Sequence, residues 1–438
     1  MIISFNLFAS ATNYVVNTGL QVWSVGNNPF ANSTSSIQVT GFIQVPTGAS
    51  LYINNMTFLF NQDAKLIIEK GARVYLNNTI LTSDINSNVM WEGVRVEGDS
   101  SANQSLGNQG YLSLFNHSEI SNAYTGVSLF KVNVDGSPNW ATSGARIEAV
   151  NSVFKNNERD VVFLAYKKQT SFSRFRDCDF ITNIHPLLDG VATPNVHVSM
   201  TSVKNIKFKG CRFKNTSNNI DVATRGKGIL SIDAGYEVTY HCTAILPYYI
   251  PCPSSSRILS SFSNLEYGID ARNANLEMVS AIIIKYSEFN ENNRAAYFGN
   301  VRNFVFVNNN VNVGVSMTGD YSWPYGLYSS FSSGYTIENN LFKTTHTGNS
   351  YGIIIDNSNN NGASDDVNEV YHNTFEDLKY GAVNKGENVR LWEGHTTLGT
   401  GLTYRCNAFQ GNSSSDLVIG DSLGGGIASF QGGCFSVT

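Results

Sequence analysis

The sequence predicts an all-β chain wound as a single-stranded parallel β-helix, a solenoid of about twelve coils with loop insertions, and three observations carry that expectation. A triplet of small or polar, any, then large apolar residue recurs along the chain. Its first column runs Met56, Thr79, Ser118, Ser152, Cys178, Cys211, Ser287, Asn309, Asn340, Asn373 and Asn407, and its third column runs from Phe58 to Phe409. A second signal, Gly or Asp followed by an apolar residue, falls between triplets at Gly93-Val94, Gly126-Val127, Asp160-Val161, Gly228-Ile229, Gly268-Ile269, Gly352-Ile353, Gly381-Ala382 and Asp416-Leu417. The composition, with 53 Asn and 38 Gly but only 9 Pro, favours residues that tolerate left-handed bends and bond their own backbone. Short strands recurring at such a period, with bends between them, belong to a solenoid in which each strand pairs with its equivalent one coil on, about 4.8 Å away.

The elements follow in order. Residues 1–40 are expected to form an N-terminal cap or first coil. Residues 41–410 form the repeat coils, opened by the aligned segments GASLYINNMTF from Gly48 and GARVYLNNTIL from Gly71, 23 residues apart. The 76-residue step from Cys211 to Ser287 contains both Gly228 and Gly268, so it hides two turns of the repeat and an insertion near 236–262. Residues 411–438 close the helix, and one domain spans 1–438. In this arrangement Phe375 stacks between Phe342 and Phe409, and Asn373 sits at or beside a bend between Asn340 and Asn407. A propeller, which repeats at about 40 to 45 residues, does not fit the 22- and 23-residue steps.

Only 14% of residues are charged, and the net charge of -5 with a pI near 5.8 argues against a nucleic-acid partner. No apolar run reaches the ~18 residues of a membrane span. The start, MIISFNLFASATNYVV, lacks the basic residues of a secretion signal, since the first Lys or Arg is Lys65, and it reads as a mature or trimmed end.

The stretches VPTGASLYINNMTF, IIEKGARVYLNNTILTSD, MWEGVRVEGDSS and QGYLSLFNHSEISNAYTGV, together with YRCNAFQGNSSSDLVIG near the end, resemble right-handed parallel β-helix repeat proteins. These are found on surfaces and among secreted products of bacteria that use type IX secretion. The resemblance covers roughly the first 130 residues and the last 40. It implies a right-handed helix, an extracellular or cell-surface location and a C-terminal sorting segment, expected to lie outside these 438 residues.

Cys242 and Cys252 flank TAILPYYIP, a Pro-bounded excursion that a disulfide would close, implying an oxidising compartment. Cys178 and Cys211 share a repeat column and read as two buried thiols, with a strained disulfide as the alternative. Pairing of Cys406 with Cys434 stays open.

For chemistry, the nearest approach to a catalytic set is Asp365-Asp366 with His395. Polysaccharide hydrolases of this fold follow an Asp pair with Gly-His-Gly and then Arg-x-Lys. Here Thr396 follows His395 and the basic motif is missing. Asp356, Ser358, Asn360, Asp365 and Asp366 offer hard oxygen ligands for calcium, but Val367 stands where a bidentate Glu would close an EF-hand-like loop. His185 and His197 bracket a loop that lacks a third metal ligand. The remaining signal is aromatic. GDYSWPYGLYSSFSSGY places Tyr321, Trp323, Tyr325 and Tyr328 in one Ser/Gly-rich stretch, and Tyr248 and Tyr249 lie in another. Flat rings with a polar handle suit a glycan or protein surface; the competing reading is that they cover the flank of the helix. The functional expectation is a non-enzymatic adhesion, glycan-contacting or structural module, with polysaccharide or cell-surface components as partners. The alternative is a polysaccharide lyase or glycoside hydrolase with degenerate motifs.

Overall fold

The computed structural model describes residues 9–30, 35–166, 170–191, 194–218, 221–245, 247, 250–274, 281–314, 323–358, 368–388, 401–420 and 425–427. The chain divides into two compact units, residues 1–206 with 216–218 and residues 207–215 with 219–438. Both are built the same way, as coils that each lend one strand to three parallel sheets.

In the N-terminal unit, one coil comprises the strands Thr57–Phe60, Lys65–Ile68 and Arg73–Asn77, and the next comprises Ile80–Ser83, Gly93–Val96 and Tyr111–Phe115. Their registers place Phe58 under Leu81, Leu66 under Val94 and Val74 under Leu112. Burial alternates strictly along the three strands of the first of these coils, because successive side chains point to opposite faces and one face looks into the bore. The C-terminal unit repeats the pattern, with Phe342 in register with Phe375 and Phe375 with Phe409. Their rings stack at 5.3 and 4.8 Å, within 10° of parallel. The expected right-handed parallel β-helix is the fold found.

Each unit has seven strands in its first sheet among the described residues, so the sequence estimate of about twelve coils falls short by two. The missing ones, starting at Ala9–Ala11 and Ser36–Val39, precede Met56 and carry no Phe in the third column. The hidden turn inside the 76-residue step is the strand Ser260–Ser263, whose Phe262 stacks on Phe213 and Phe289 at 4.7 and 4.9 Å. The insertion is narrower than expected. Tyr236–Thr239 is an ordinary third-sheet strand, and the excursion is a small hairpin, His241–Cys242 antiparallel to Arg257–Ile258, with Cys242 and Cys252 disulfide-bonded. Cys178 and Cys211 are buried thiols, not joined by a disulfide. Cys406 is disulfide-bonded, and Cys434, whose pairing with it the sequence leaves open, lies outside the described residues.

The asparagines divide two tasks at the bend between third and first sheets. The residue just before each triplet turns the chain at positive φ: Asn55, Asn78, Asn151, Asn308 and Asn339 lie between 47° and 57°. Asn is among the few non-glycine residues that adopt this conformation readily. The triplet residue itself points inward and closes the hydrogen bonds that the bend leaves open. The Asn309, Asn340 and Asn373 backbone N–H groups donate to Oδ1 of Asn340, Asn373 and Asn407 at 2.8 to 3.0 Å, and their Nδ2 groups donate to the same oxygens at 2.9 to 3.1 Å. Where the column holds serine, its hydroxyl accepts the same bond: Thr79 N–H donates to Ser118 Oγ and Cys211 N–H to Ser260 Oγ. Asn373→Ala is therefore expected to cost about 1–3 kcal/mol, because two buried donors of Asn340 lose their acceptor. Asn373→Ser should cost less. Urea-unfolding midpoints of the two variants check this order.

Candidate functional site

The sheet that carries Gly or Asp before an apolar residue has a distinctive outward face in the C-terminal unit. Its strands Lys227–Ile232, Tyr267–Arg272, Arg294–Gly299, Tyr325–Ser330, Tyr351–Asp356 and Tyr380–Glu387 pair in parallel. The first residues fall in one column, in the order Lys227, Tyr267, Arg294, Tyr325, Tyr351, Tyr380. A second column, three residues on, holds Asp270, Tyr297 and Tyr328.

At one end of this column the contacts are cationic. Lys227 Nζ lies 4.6 Å and the Arg294 guanidinium 4.8 Å from the Tyr267 ring centre, and Arg294 donates to the Tyr267 hydroxyl at 2.6 Å. Asp270 is fully buried and accepts from Lys227 Nζ and Arg272 Nε, both at 2.7 Å. Arg272 in turn lies over Tyr297 at 5.1 Å. At the other end the contacts are aromatic. Tyr351 stacks on Tyr380 at 5.2 Å, and Trp323 lies nearly parallel to both at 5.0 and 5.9 Å. Lys379 Nζ sits 4.7 Å from the centre of Trp323.

The expected aromatic residues reach this face, but not equally. Trp323 and Tyr328 are half-buried, and Tyr325 is only 6% exposed, packed edge-on against Tyr328 at 5.4 Å. Tyr335 is fully buried against Phe304. Of the two described members of the expected calcium set, Asp356 accepts from Tyr328 at 2.8 Å through Oδ2, and Ser358 is buried with its N–H donating to Asn388 Oδ1 at 2.8 Å. His197 is buried, its Nδ1 2.6 Å from Asp160 Oδ2. Among the described residues no three His, Cys, Asp or Glu side chains gather as metal ligands. Tyr248, Tyr249, Tyr321, Asn360, Asp365, Asp366 and His395 lie outside the described residues.

Sequence reading missed Tyr267, Tyr351, Tyr380 and the two cations of the column, although a signal was present. Tyr precedes the recorded glycine at Tyr267-Gly268-Ile269, Tyr351-Gly352-Ile353 and Tyr380-Gly381-Ala382, and again at Tyr325-Gly326-Leu327. One column inward of the recorded motif lay a second motif pointing outward.

Burial holds the phenols of this face above their ordinary value near 10. Tyr351 is pushed up to about 12 by desolvation, and Tyr325 is pushed well above 10 by the same cause. Tyr328 is raised first by burial and then by its bond to the Asp356 carboxylate. A phenol whose pKa is raised on folding favours the folded state fully below about pH 10 and loses that contribution as pH climbs through the folded value. In an absorbance titration, Tyr325 and Tyr328 should ionise only as the β-sheet dichroism is lost.

No protein-family model matches the chain, and no curated protein matches it in sequence. Similar solved structures include a periplasmic alginate epimerase, at 10% identity and TM-score 0.38, covering 93% of this chain and 84% of that one. The tailspike protein of the E. coli bacteriophage HK620 aligns at 12% identity and TM-score 0.40, over 85% of this chain and 60% of its own. The Streptococcus pneumoniae surface protein and adhesin PfbA aligns at 11% and 0.35, over 88% and 92%. Likenesses this distant carry no functional argument.

Proposed function

We propose that the protein is an extracellular or cell-surface β-helix that contacts glycan without transforming it, through the aromatic column of its C-terminal unit. The observation that carries this reading is the near-parallel group Trp323, Tyr351 and Tyr380, half-buried on an outward sheet face with a lysine beside it. Rings fixed by a sheet lose little freedom on binding, and each joins an apolar face to a polar edge. The non-enzymatic part is supported by the carboxylates of the face, which are already committed: Asp270 is enclosed between Lys227 and Arg272, and Asp356 accepts from Tyr328. The extracellular setting is supported by the Cys242–Cys252 disulfide and the bonded Cys406, since disulfides persist in oxidising compartments.

A glycan array with the intact chain tests the proposal. Trp323→Ala and Tyr380→Ala should each weaken a bound glycan about tenfold, close to 1.4 kcal/mol. Phe331→Ala, at a 51% exposed ring outside the group, should leave binding unchanged. Absence of binding by the wild type would remove the glycan reading. Release of shortened or unsaturated products from the bound glycan would remove the non-enzymatic one, and the assay is run with and without calcium.

A further inference from the structure

The corresponding sheet of the N-terminal unit has a different outward face. After the strand Thr125–Ser128 the chain leaves the coil to form a hairpin, Lys131–Val132 antiparallel to Pro138–Asn139. The hairpin is seated by Phe130, Val132, Val162 and Leu164, which pack together at its base. Between hairpin and sheet lies a cleft of about 210 Å³, with Lys65, Glu92, Arg95, Tyr124, Ser128 and Arg159 among its polar and aromatic lining.

Its floor is kept bare by the fold. Gly93 stands in register with Lys65 of the coil before, at φ 96°, and a Cβ there would come within 1.7 Å of the Thr125 carbonyl. Long side chains therefore ring the cleft instead of filling it.

The ring is basic and loosely paired. Some cations elsewhere are held tightly, Lys70 to Asp99 at 2.9 Å, Arg174 to Glu148 at 2.8 Å, and Lys227 and Arg272 to Asp270 at 2.7 Å, while Lys207 stands 3.8 Å from Glu237 and Arg294 3.4 Å from Glu266. In the cleft, Lys65 is 3.9 Å from Glu92 and Arg159 is 3.9 Å from Glu158, well beyond a charge-assisted hydrogen bond. Arg95 has no ion pair within 4.0 Å among the described residues. A chain with 34 acidic and 29 basic residues thus gathers three loosely held cations around one concavity, with Glu92 in its lining, Glu158 beside Arg159, and Glu97 close enough to feel the Arg95 charge.

We propose that this cleft binds an acidic sugar residue, its carboxylate or sulfate group drawn between Arg95, Arg159 and Lys65. Guanidinium groups match planar oxyanions bidentately. The cleft is smaller than the 300 to 1,000 Å³ typical of larger ligands, which suits one ring and its charged group. Tyr124 has its hydroxyl engaged by Asp189, and it offers its ring to the apolar face of the sugar. The proposal is independent of the aromatic column of the C-terminal unit.

Calorimetry of the intact protein with glucuronate, glucose and inorganic sulfate tests it, at low and at about 0.15 M ionic strength. Glucuronate should bind and weaken with salt, and glucose should not bind. Arg95→Gln and Arg159→Gln should each reduce glucuronate affinity about tenfold or more, with the unfolding midpoint unmoved, and Phe331→Ala should have no effect. No binding of glucuronate by the wild type, or equal binding by a folded Arg95→Gln/Arg159→Gln double variant, overturns the proposal. Sulfate bound as tightly as glucuronate overturns the sugar assignment.

Discussion

Phe375→Ala is expected to lower the unfolding free energy by about 3–5 kcal/mol, the range for truncating a fully buried aromatic ring. Phe375 is inaccessible to solvent and lies between two parallel rings, Phe342 at 5.3 Å and Phe409 at 4.8 Å. The neighbours cannot collapse into the space. Each is fixed by its own strand in a parallel sheet, with backbone register Phe342, Phe375, Phe409. The cavity should therefore persist and both stacking contacts should be lost. Phe409→Ala makes the internal comparison, because Phe409 is only half-buried and stands at the last first-sheet strand, so its loss should cost clearly less. Solenoid stability is a sum of coil and nearest-neighbour terms, so the damage should appear first in the coils flanking Phe375. Denaturant midpoints give the total, and amide hydrogen exchange of 336–343 and 402–410 gives the location. A loss below about 1 kcal/mol would mean that the ring is not a core residue and that the register is wrong.

The architecture was legible where one residue type repeats at one geometric station. Phe in the third column announces itself because the bore is wide enough for a ring and each ring stacks on the next, so selection for that shape recurs coil after coil. The first two coils escaped notice because Ala9 and Ile37 stand at this station in place of a ring, and a column of varied apolar residues has no signature. The second column was read as Gly or Asp without its reason. His197, the next member after Asp160, went unrecognised there, although it forms a buried hydrogen-bonded pair with that aspartate. A polar pair can replace glycine only if its two members meet, and spacing alone does not reveal that. The face that bears Trp323, Tyr351 and Tyr380 was harder still to find. Tyr351 and Tyr380 come together through register, whereas the aromatic-rich stretch that first drew attention sends Tyr335 into the protein interior and leaves Tyr325 covered by its neighbours on the face. Local density of rings in the text says little about which of them share a surface.

Gly352→Ala should destabilise the protein by about 3 kcal/mol or more, at the upper end for inserting one methyl group into a packed interior. Gly352 does not occupy the left-handed region, so the requirement is one of space. A Cβ there would lie 2.4 Å from the Gly381 carbonyl oxygen, 2.6 Å from Cδ1 of Phe375 and 3.0 Å from Leu378. The same conflict recurs along the column: Gly228 faces the Phe262 ring, Gly268 faces Phe289, Gly326 faces Phe342 and Gly381 faces Phe409. The glycine of one coil is thus the seat for the phenylalanine of the next, which explains why the two sequence signals travel together. A double variant separates the two sources of strain. Phe375→Leu frees the ring contact but leaves the carbonyl 2.4 Å away in a hydrogen-bonded strand that cannot withdraw without breaking its ladder. Gly352→Ala/Phe375→Leu should therefore recover only part of the loss, with a coupling energy of about 0.5–3 kcal/mol. Complete recovery would place all the conflict at the ring; no coupling at all would show that glycine and phenylalanine do not touch, and would break the link between the two columns on which the reading of the repeat depends.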